Sequence, residues 1–399
     1  MRRSLFQFLA PVAVVALVAS ACSGDDDGGE AEPTLPGATA ADGTAGDEIA
    51  TDDTAADTTT GDTEGTADTA DEVQTGESIL DTVTANDVVR CGVRDDLPGF
   101  ATLDASGEYV GFDTDFCRVI AAAVLGDATK VEFVPVATEA RFTALQAGEF
   151  DVLVRNTSWT AARDGTEGLT FLHPTYYDGQ RMMVAADSGF TSIDDMNNTV
   201  ICVAAGTTTE GNVATEFARR GVTAEVQSFD DVDLLQEAFV AGRCDGWSSD
   251  GSQLVGLRSA YPADAGGPEA LVILDDVFSK EPLTPAVVDG DSRWAQAVEW
   301  AIYATILGEE FELTSANVQE GLSSPDPSIV TFLGGANADG EVVDPGLGLP
   351  TDFALQVITQ VGNYGEIFDA NLTPLGIERG LNALYNADPP GLQYAPPYR

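Results

Sequence analysis

The chain has 399 residues and carries 66 acidic against 18 basic side chains, a formal net charge of −48. Such a balance excludes a nucleic-acid partner, because phosphate backbones are held by clustered Lys and Arg. One histidine, His173, and the lack of any CxxC also argue against zinc and against Ser-His-Asp catalysis.

In chain order, Arg2 and Arg3 precede an apolar run from Leu5 to Val18 that ends in Ala19-Ser20-Ala21-Cys22. This reads as a signal peptide over residues 1–22, since the run is shorter than the roughly 20 apolar residues that span a bilayer. Cys22 after small residues resembles a bacterial lipobox, in which the thiol is lipidated and becomes the new N-terminus. Residues 23–77 are mostly Asp, Glu, Thr, Ala and Gly, with no Lys, Arg or aromatic side chain. That composition predicts a disordered acidic tether with a reach of roughly 40 Å. The remainder is long enough for two lobes.

Gly111-Phe-Asp-Thr-Asp-Phe116 leads into a helix with Phe116, Val119, Ile120, Ala123 and Val124 on one face, and Asp113 or Thr114 is expected to cap it. Val131–Val136 alternates like a strand, Thr138 is expected to cap a helix carrying Phe142 and Leu145 inward, Gly148 ends that helix, and Phe150–Val154 is the next strand. The same unit recurs, with a strand to Phe229, a helix from Val232 to Ala241, a stop at Gly242 and a strand over Cys244–Trp247. Ala144-x-x-Ala147-Gly148-x-x-Asp151 is repeated as Ala238-x-x-Ala241-Gly242-x-x-Asp245. Two related α/β lobes follow, and in open α/β sheets the ligand crevice lies at the carboxyl ends of the strands. The segments so placed are Arg155–Arg163, Ala205–Glu210 and Ser248–Gln253. Four cysteines besides Cys22 allow three pairings; pairing within each lobe favours Cys91 with Cys117 and Cys202 with Cys244.

Gly111–Phe116, Leu97–Phe100, Arg141–Gly148, Arg155–Thr160 with Arg163-Asp164, Tyr176–Gln180 and Gly206–Glu210 together resemble the polar amino-acid family of bacterial extracellular solute-binding proteins, which serve ABC importers. Ser279–Pro282, Val361–Glu366, Arg379–Ala383 and Tyr394–Pro397 are similar to its general L-amino-acid-binding branch. The resemblance implies a periplasmic-binding-protein fold, α/β in class, with two lobes joined by a two-strand hinge. Lobe one would take residues 78–184 and 285–399, including a C-terminal extension after about Thr314, and lobe two 185–284. It further implies a monomer outside the cytoplasm, in the periplasm or at the outer face of the cytoplasmic membrane, where the lipid expected on Cys22 would be its sole membrane anchor. No cofactor is expected; its partners would be a free L-amino acid and an ABC importer permease.

A free amino acid needs a fixed cation for its carboxylate and a fixed anion for its ammonium. Arg163 matches the family's carboxylate-binding arginine, and Ser158 and Asn156 precede it where relatives present polar groups. In lobe two Thr208 is the expected side-chain ligand and Thr207 the cap of a helix whose positive end favours the same carboxylate. Asp250 matches the acid that receives the ammonium. Phe100 is expected either over the ligand's aliphatic part or in the core. Arg94 departs from the branch and would either meet an acidic ligand side chain or pair with Asp95 or Asp96. Two competing readings are an amino-acid sensor uncoupled from import and a dehydratase-like enzyme on the same fold.

Overall fold

The computed structural model describes residues 77–337 and 339–398, so the signal peptide, Cys22 and all but the last residue of the tether lie outside the described residues. The order is α1 (Ile79–Asn86), β1 (Val89–Val93), β2 (Asp96–Leu97), β3 (Ala101–Leu103), β4 (Tyr109–Val110), α2 (Phe112–Leu125), β5 (Val131–Pro135), α3 (Arg141–Gln146), β6 (Val152–Leu153), α4 (Ala161–Thr166) and β7 (Leu169–Phe171). After β8 (Tyr176–Asp178) come β9 (Gln180–Ala185), β10 (Thr199–Ala204), α5 (Thr208–Arg220), β11 (Ala224–Phe229), α6 (Val232–Val240), β12 (Gly246–Asp250), α7 (Gly251–Ser259) and β13 (Leu271–Ile273). The chain returns through β14 (Glu281–Leu283) and β15 (Ala286–Val288) to α8 (Ser292–Glu310), α9 (Val318–Gly321), α10 (Pro327–Phe332), α11 (Phe353–Gln360) and α12 (Tyr364–Asn371).

Two five-stranded sheets share one plan, β5-β1-β6-β15-β7 in the first and β11-β10-β12-β9-β13 in the second. In each, the first three strands are parallel and the last two joints antiparallel. The ribbon of β8 and β14 carries the chain between them, with Glu281 opposite Asp178. This is the two-lobed α/β architecture that the resemblance implies. β9 pairs in the second sheet from Gln180 onward, so the chain has already entered the second lobe before Val184.

The repeated Ala-x-x-Ala-Gly-x-x-Asp pattern has a local cause. Gly148 (φ 72°) and Gly242 (φ 69°) take the left-handed turn that ends α3 and α6. Three residues on, Asp151 donates its N–H to the Arg90 carbonyl and accepts the Arg90 N–H on its carboxylate, both at 2.8 Å. Asp245 clips Val200 the same way, again at 2.8 Å twice. Each aspartate thus registers a strand on its parallel neighbour, β6 on β1 and β12 on β10. Disulfides join Cys91 to Cys117 and Cys202 to Cys244 inside the respective lobes.

Two expected caps are corrected. Helix α2 begins at Phe112 behind Gly111, and no side chain caps it; Thr114 Oγ1 instead donates to the Gly111 carbonyl at 2.8 Å. The position demands glycine, because φ is 135° and a Cβ there would collide with the Phe100 carbonyl. Likewise α3 starts after Ala140, without a side-chain cap, and Thr138 Oγ1 accepts from Arg155 Nη2 at 2.9 Å.

The core of the first lobe is broad. Helix α11 packs on α2 and α8, bringing the C-terminal extension onto it. Phe112 meets Phe100, Phe116, Tyr176, Tyr364 and Phe368 edge to face, with centroids 5.0–6.2 Å apart. His173 lies 3.0 Å from Gln393 Oε1, with burial holding its imidazole below the ordinary range. Its tertiary setting is that of a structural side chain.

Candidate functional site

The carboxyl ends of β6, β10 and β12 meet across a small cavity of about 40 Å³. Arg94, Asn156, Ser158, Arg163, Thr207, Thr208 and Asp250 all line it. Phe100 does not; it is fully buried against Phe112 and Tyr176 (5.9 and 5.5 Å), so its place is in the core.

From the first lobe the wall is cationic. Arg163 sits in the first turn of α4, whose start Thr160 caps by accepting from Arg163 N at 3.2 Å. Its Nη1 donates to the Ser158 carbonyl at 2.8 Å, its Nη2 to the Gly206 carbonyl at 3.4 Å, and its guanidinium lies 5.3 Å from the Phe142 ring. Burial lowers its pKa, while Glu281 and Asp250 oppose the shift. Carbonyl anchors fix the fork without neutralising it, which is the condition for receiving a carboxylate.

Three more arginines surround it. The Arg141 guanidinium lies 4.4 Å from the Phe142 ring, donates to the Thr138 carbonyl and reaches Gly206 O at 3.1 Å; its buried Nε has no partner. Arg155 donates to Val136 O at 2.8 Å and to Thr138, and burial first, then Arg94, pushes its pKa down to about 9. Arg94 is 3 % exposed, forks onto the Asp96 carboxylate and reaches Asn156 Oδ1 at 3.3 Å. It therefore lines the cavity and pairs with Asp96 at once.

Asn156 holds a left-handed backbone, φ 27°, kept in place by its N–H bond to Asp113 Oδ2 at 3.0 Å. Burial pushes the Asp113 carboxyl up to about 7. Ser158 is buried beside the hinge, in an isolated bridge with Leu283.

The second lobe supplies the complement. Helix α5 opens at the cavity, bringing the positive end of its dipole there. Thr207 holds the N-cap position, but its hydroxyl bonds Ala204 O (2.6 Å) and Thr209 Oγ1 (2.5 Å) and accepts from no backbone N–H of the helix. Thr208 Oγ1 donates to Glu281 Oε2 at 3.0 Å. Asp250, 6 % exposed, ends β12; its Oδ1 has no hydrogen-bond partner, and burial, then Asp178 and Glu281, raise its pKa well above the usual carboxylate range. A buried carboxylate oxygen without a donor calls for a cation. The lobes touch across the cleft through Arg141 and Arg163 on Gly206 and through Asn156 Nδ2 on Gln253 Oε1 at 3.3 Å.

Sequence reasoning left Arg141, Arg155 and Glu281 unassigned. Arg141 follows β5, so applying the crevice rule to that strand too would have found it. Arg155 lies inside a selected segment without a role, and Glu281 stands in the hinge ribbon, outside any strand-end loop.

Residues 89–324 match the profile of the bacterial extracellular solute-binding proteins, family 3. The general L-amino acid-binding periplasmic protein AapJ of Rhizobium johnstonii is 46% identical over 323 residues, 80% of this chain and 92% of that protein. The glutamate/glutamine/aspartate/asparagine-binding protein BztA of Rhodobacter capsulatus is 43% identical over 326 residues, 81% of this chain and 94% of its own. An ABC transporter periplasmic binding protein from Brucella ovis, solved with glutathione bound, superposes with a TM-score of 0.77 at 42% identity, covering 81% of this chain and 100% of that one. Among the described residues no helix is long and apolar enough to cross a membrane.

Proposed function

The chain belongs to the bacterial extracellular solute-binding proteins, family 3, and we propose that it captures free L-amino acids outside the cytoplasm and delivers them to an ABC importer. The observation that carries this reading is the pairing, across one cavity, of a carbonyl-anchored arginine with a buried, donor-less carboxylate: Arg163 from the first lobe and Asp250 from the second. An α-amino acid presents the matching pair on adjacent atoms.

In this reading the ligand lands on the first lobe, where Arg163 takes the carboxylate and the Asn156–Ser158 segment lines the approach. Closure about the hinge ribbon then brings the start of α5 and Asp250 onto the ligand. A ligand favours closure only through contacts it makes in the closed state, and Asp250 with Thr208 supplies them. Breadth toward polar amino acids agrees with the general L-amino-acid and the glutamate/glutamine/aspartate/asparagine binding for which the two relatives are named. Lipidation of Cys22 and the tether would keep a monomeric receptor near its permease, as the N-terminal sequence suggests.

Calorimetric titration of the purified protein with the twenty L-amino acids tests the reading. Saturable binding of at least one, recovered unchanged after long incubation, is expected; no binding by any of them overturns it, and conversion of the bound amino acid points to an enzyme instead.

A further inference from the structure

Asp250 does not stand alone. Ser252 N, two residues beyond it at the start of α7, donates to Asp178 Oδ2 at 3.0 Å. A Cβ added to Gly251 would lie 3.3 Å from Asp178 Oδ1, so the Asp178 carboxyl rests against the residue next to Asp250. Glu281 faces Asp178 across the hinge ribbon. Its Oε2 accepts from Thr208 Oγ1 at 3.0 Å, and its Oε1 from Asn212 Nδ2 at 2.8 Å and Ser279 Oγ at 2.6 Å. Three carboxyls thus converge where the ligand's ammonium is assigned.

The charged groups that face Asp250 divide by lobe. Asp178 and Glu281 oppose its ionisation, and both are fastened to second-lobe helices, α7 and α5. Arg163 and Arg94 favour it, and they come from α4 and the end of β1 in the first lobe. Arg181 of β9 faces Asp178. An open cleft therefore leaves Asp250 with its like-charged neighbours and takes away the two cations. Opening also hydrates the carboxyl, so there the like charges rather than burial must hold a proton on it. An arriving ammonium and the closing first lobe reverse the balance. The carboxyl ionises against the ammonium, and its proton leaves to solvent.

Resting on the amino-acid reading above, we infer that Asp178 and Glu281 are positioning residues of the ammonium subsite: acting through Asp250, they hold a proton on it until the ligand expels it, so that binding an amino acid releases a proton.

Calorimetry in phosphate and in Bis-Tris, buffers of different ionisation enthalpy, counts the protons released on binding. The probe is the tightest binder among the L-amino acids whose side chains do not titrate. Wild type is expected to release roughly 0.5 to 1 proton per ligand at pH 6.5, and its affinity to weaken roughly 3- to 10-fold per unit as the pH falls from about 7.5 to about 5.5. Glu281→Gln removes the charge and can keep the hydrogen bonds: the amide oxygen serves Asn212 and Ser279, and the amide N–H donates to Thr208 Oγ1. In it the release is expected to fall by about half or more, with the midpoint of the pH profile lowered by about one unit, a change that loss of packing would not produce. Should that variant fail to fold, Asp178→Asn decides by the same two readouts. Asp113 of the first lobe is raised to about 7 and titrates in the same interval. Release that vanishes in Asp113→Asn but persists in Glu281→Gln and Asp178→Asn overturns the inference. So does a wild type that binds without releasing a proton, or variants that release as much as wild type, and each leaves the amino-acid reading standing. Failure of the wild type to bind any amino acid removes the reading itself, and the inference with it.

Discussion

The two lobes are built on the same strand order yet meet the cleft with opposite chemistry. The first lobe offers guanidiniums held by backbone carbonyls, Arg141, Arg155 and Arg163; the second offers a helix start and the unpartnered Asp250. A shared scaffold thus fixes where strand-end residues stand and leaves their charge free to vary. Carbonyl anchoring orients the guanidiniums of the first wall, whereas the second wall holds a carboxyl whose desolvation is relieved by a proton or by a cation. A zwitterion bridging them would satisfy both.

Breaking the first wall should have the largest effect. Arg163→Ala removes the fork and is expected to weaken amino-acid binding by roughly 100-fold or more, since truncating one member of a buried charge pair leaves the other desolvated. Near wild-type affinity by calorimetry would transfer the carboxylate role to Arg141. Asp250→Asn attacks the other wall more mildly, because an amide still accepts from an ammonium without matching its charge. A loss of roughly 10- to 100-fold is expected, and an unchanged titration would show that the ammonium lies elsewhere.

The smallest effect concerns support of the first wall. Burial raises Asp113 to about 7 in the folded protein, against roughly 3.9 when unfolded, so the native state binds more protons between those values. Stability from this group is therefore present below about pH 4 and lost as the pH rises through 7. Urea unfolding at pH 5 and pH 8 should show wild type losing about 2 kcal/mol more than Asp113→Asn across that interval. Equal losses would mean that the carboxyl is solvated.

Legibility in the sequence followed the range of the interactions. The repeated Ala-x-x-Ala-Gly-x-x-Asp pattern was readable because a glycine turn and an aspartate clip act within one β-α-β unit. Arg163, Asp250 and the α5 threonines were placed by strand-end position and family resemblance, and all line the cavity. Asp113 and Thr138 were misread as caps because their partners, Asn156 and Arg155, come from a loop far along the chain. Phe100 was left undecided between ligand and core, as the ring it meets, Phe112, is itself covered by Tyr364 and Phe368 from the C-terminal extension.

A crystal structure of the protein with its tightest-binding amino acid tests the division of labour between the lobes most directly. The account predicts the ligand carboxylate on the Arg163 guanidinium and the ammonium on the Asp250 carboxylate, both within hydrogen-bonding distance. A ligand oriented the other way, or held without Asp250, would contradict it.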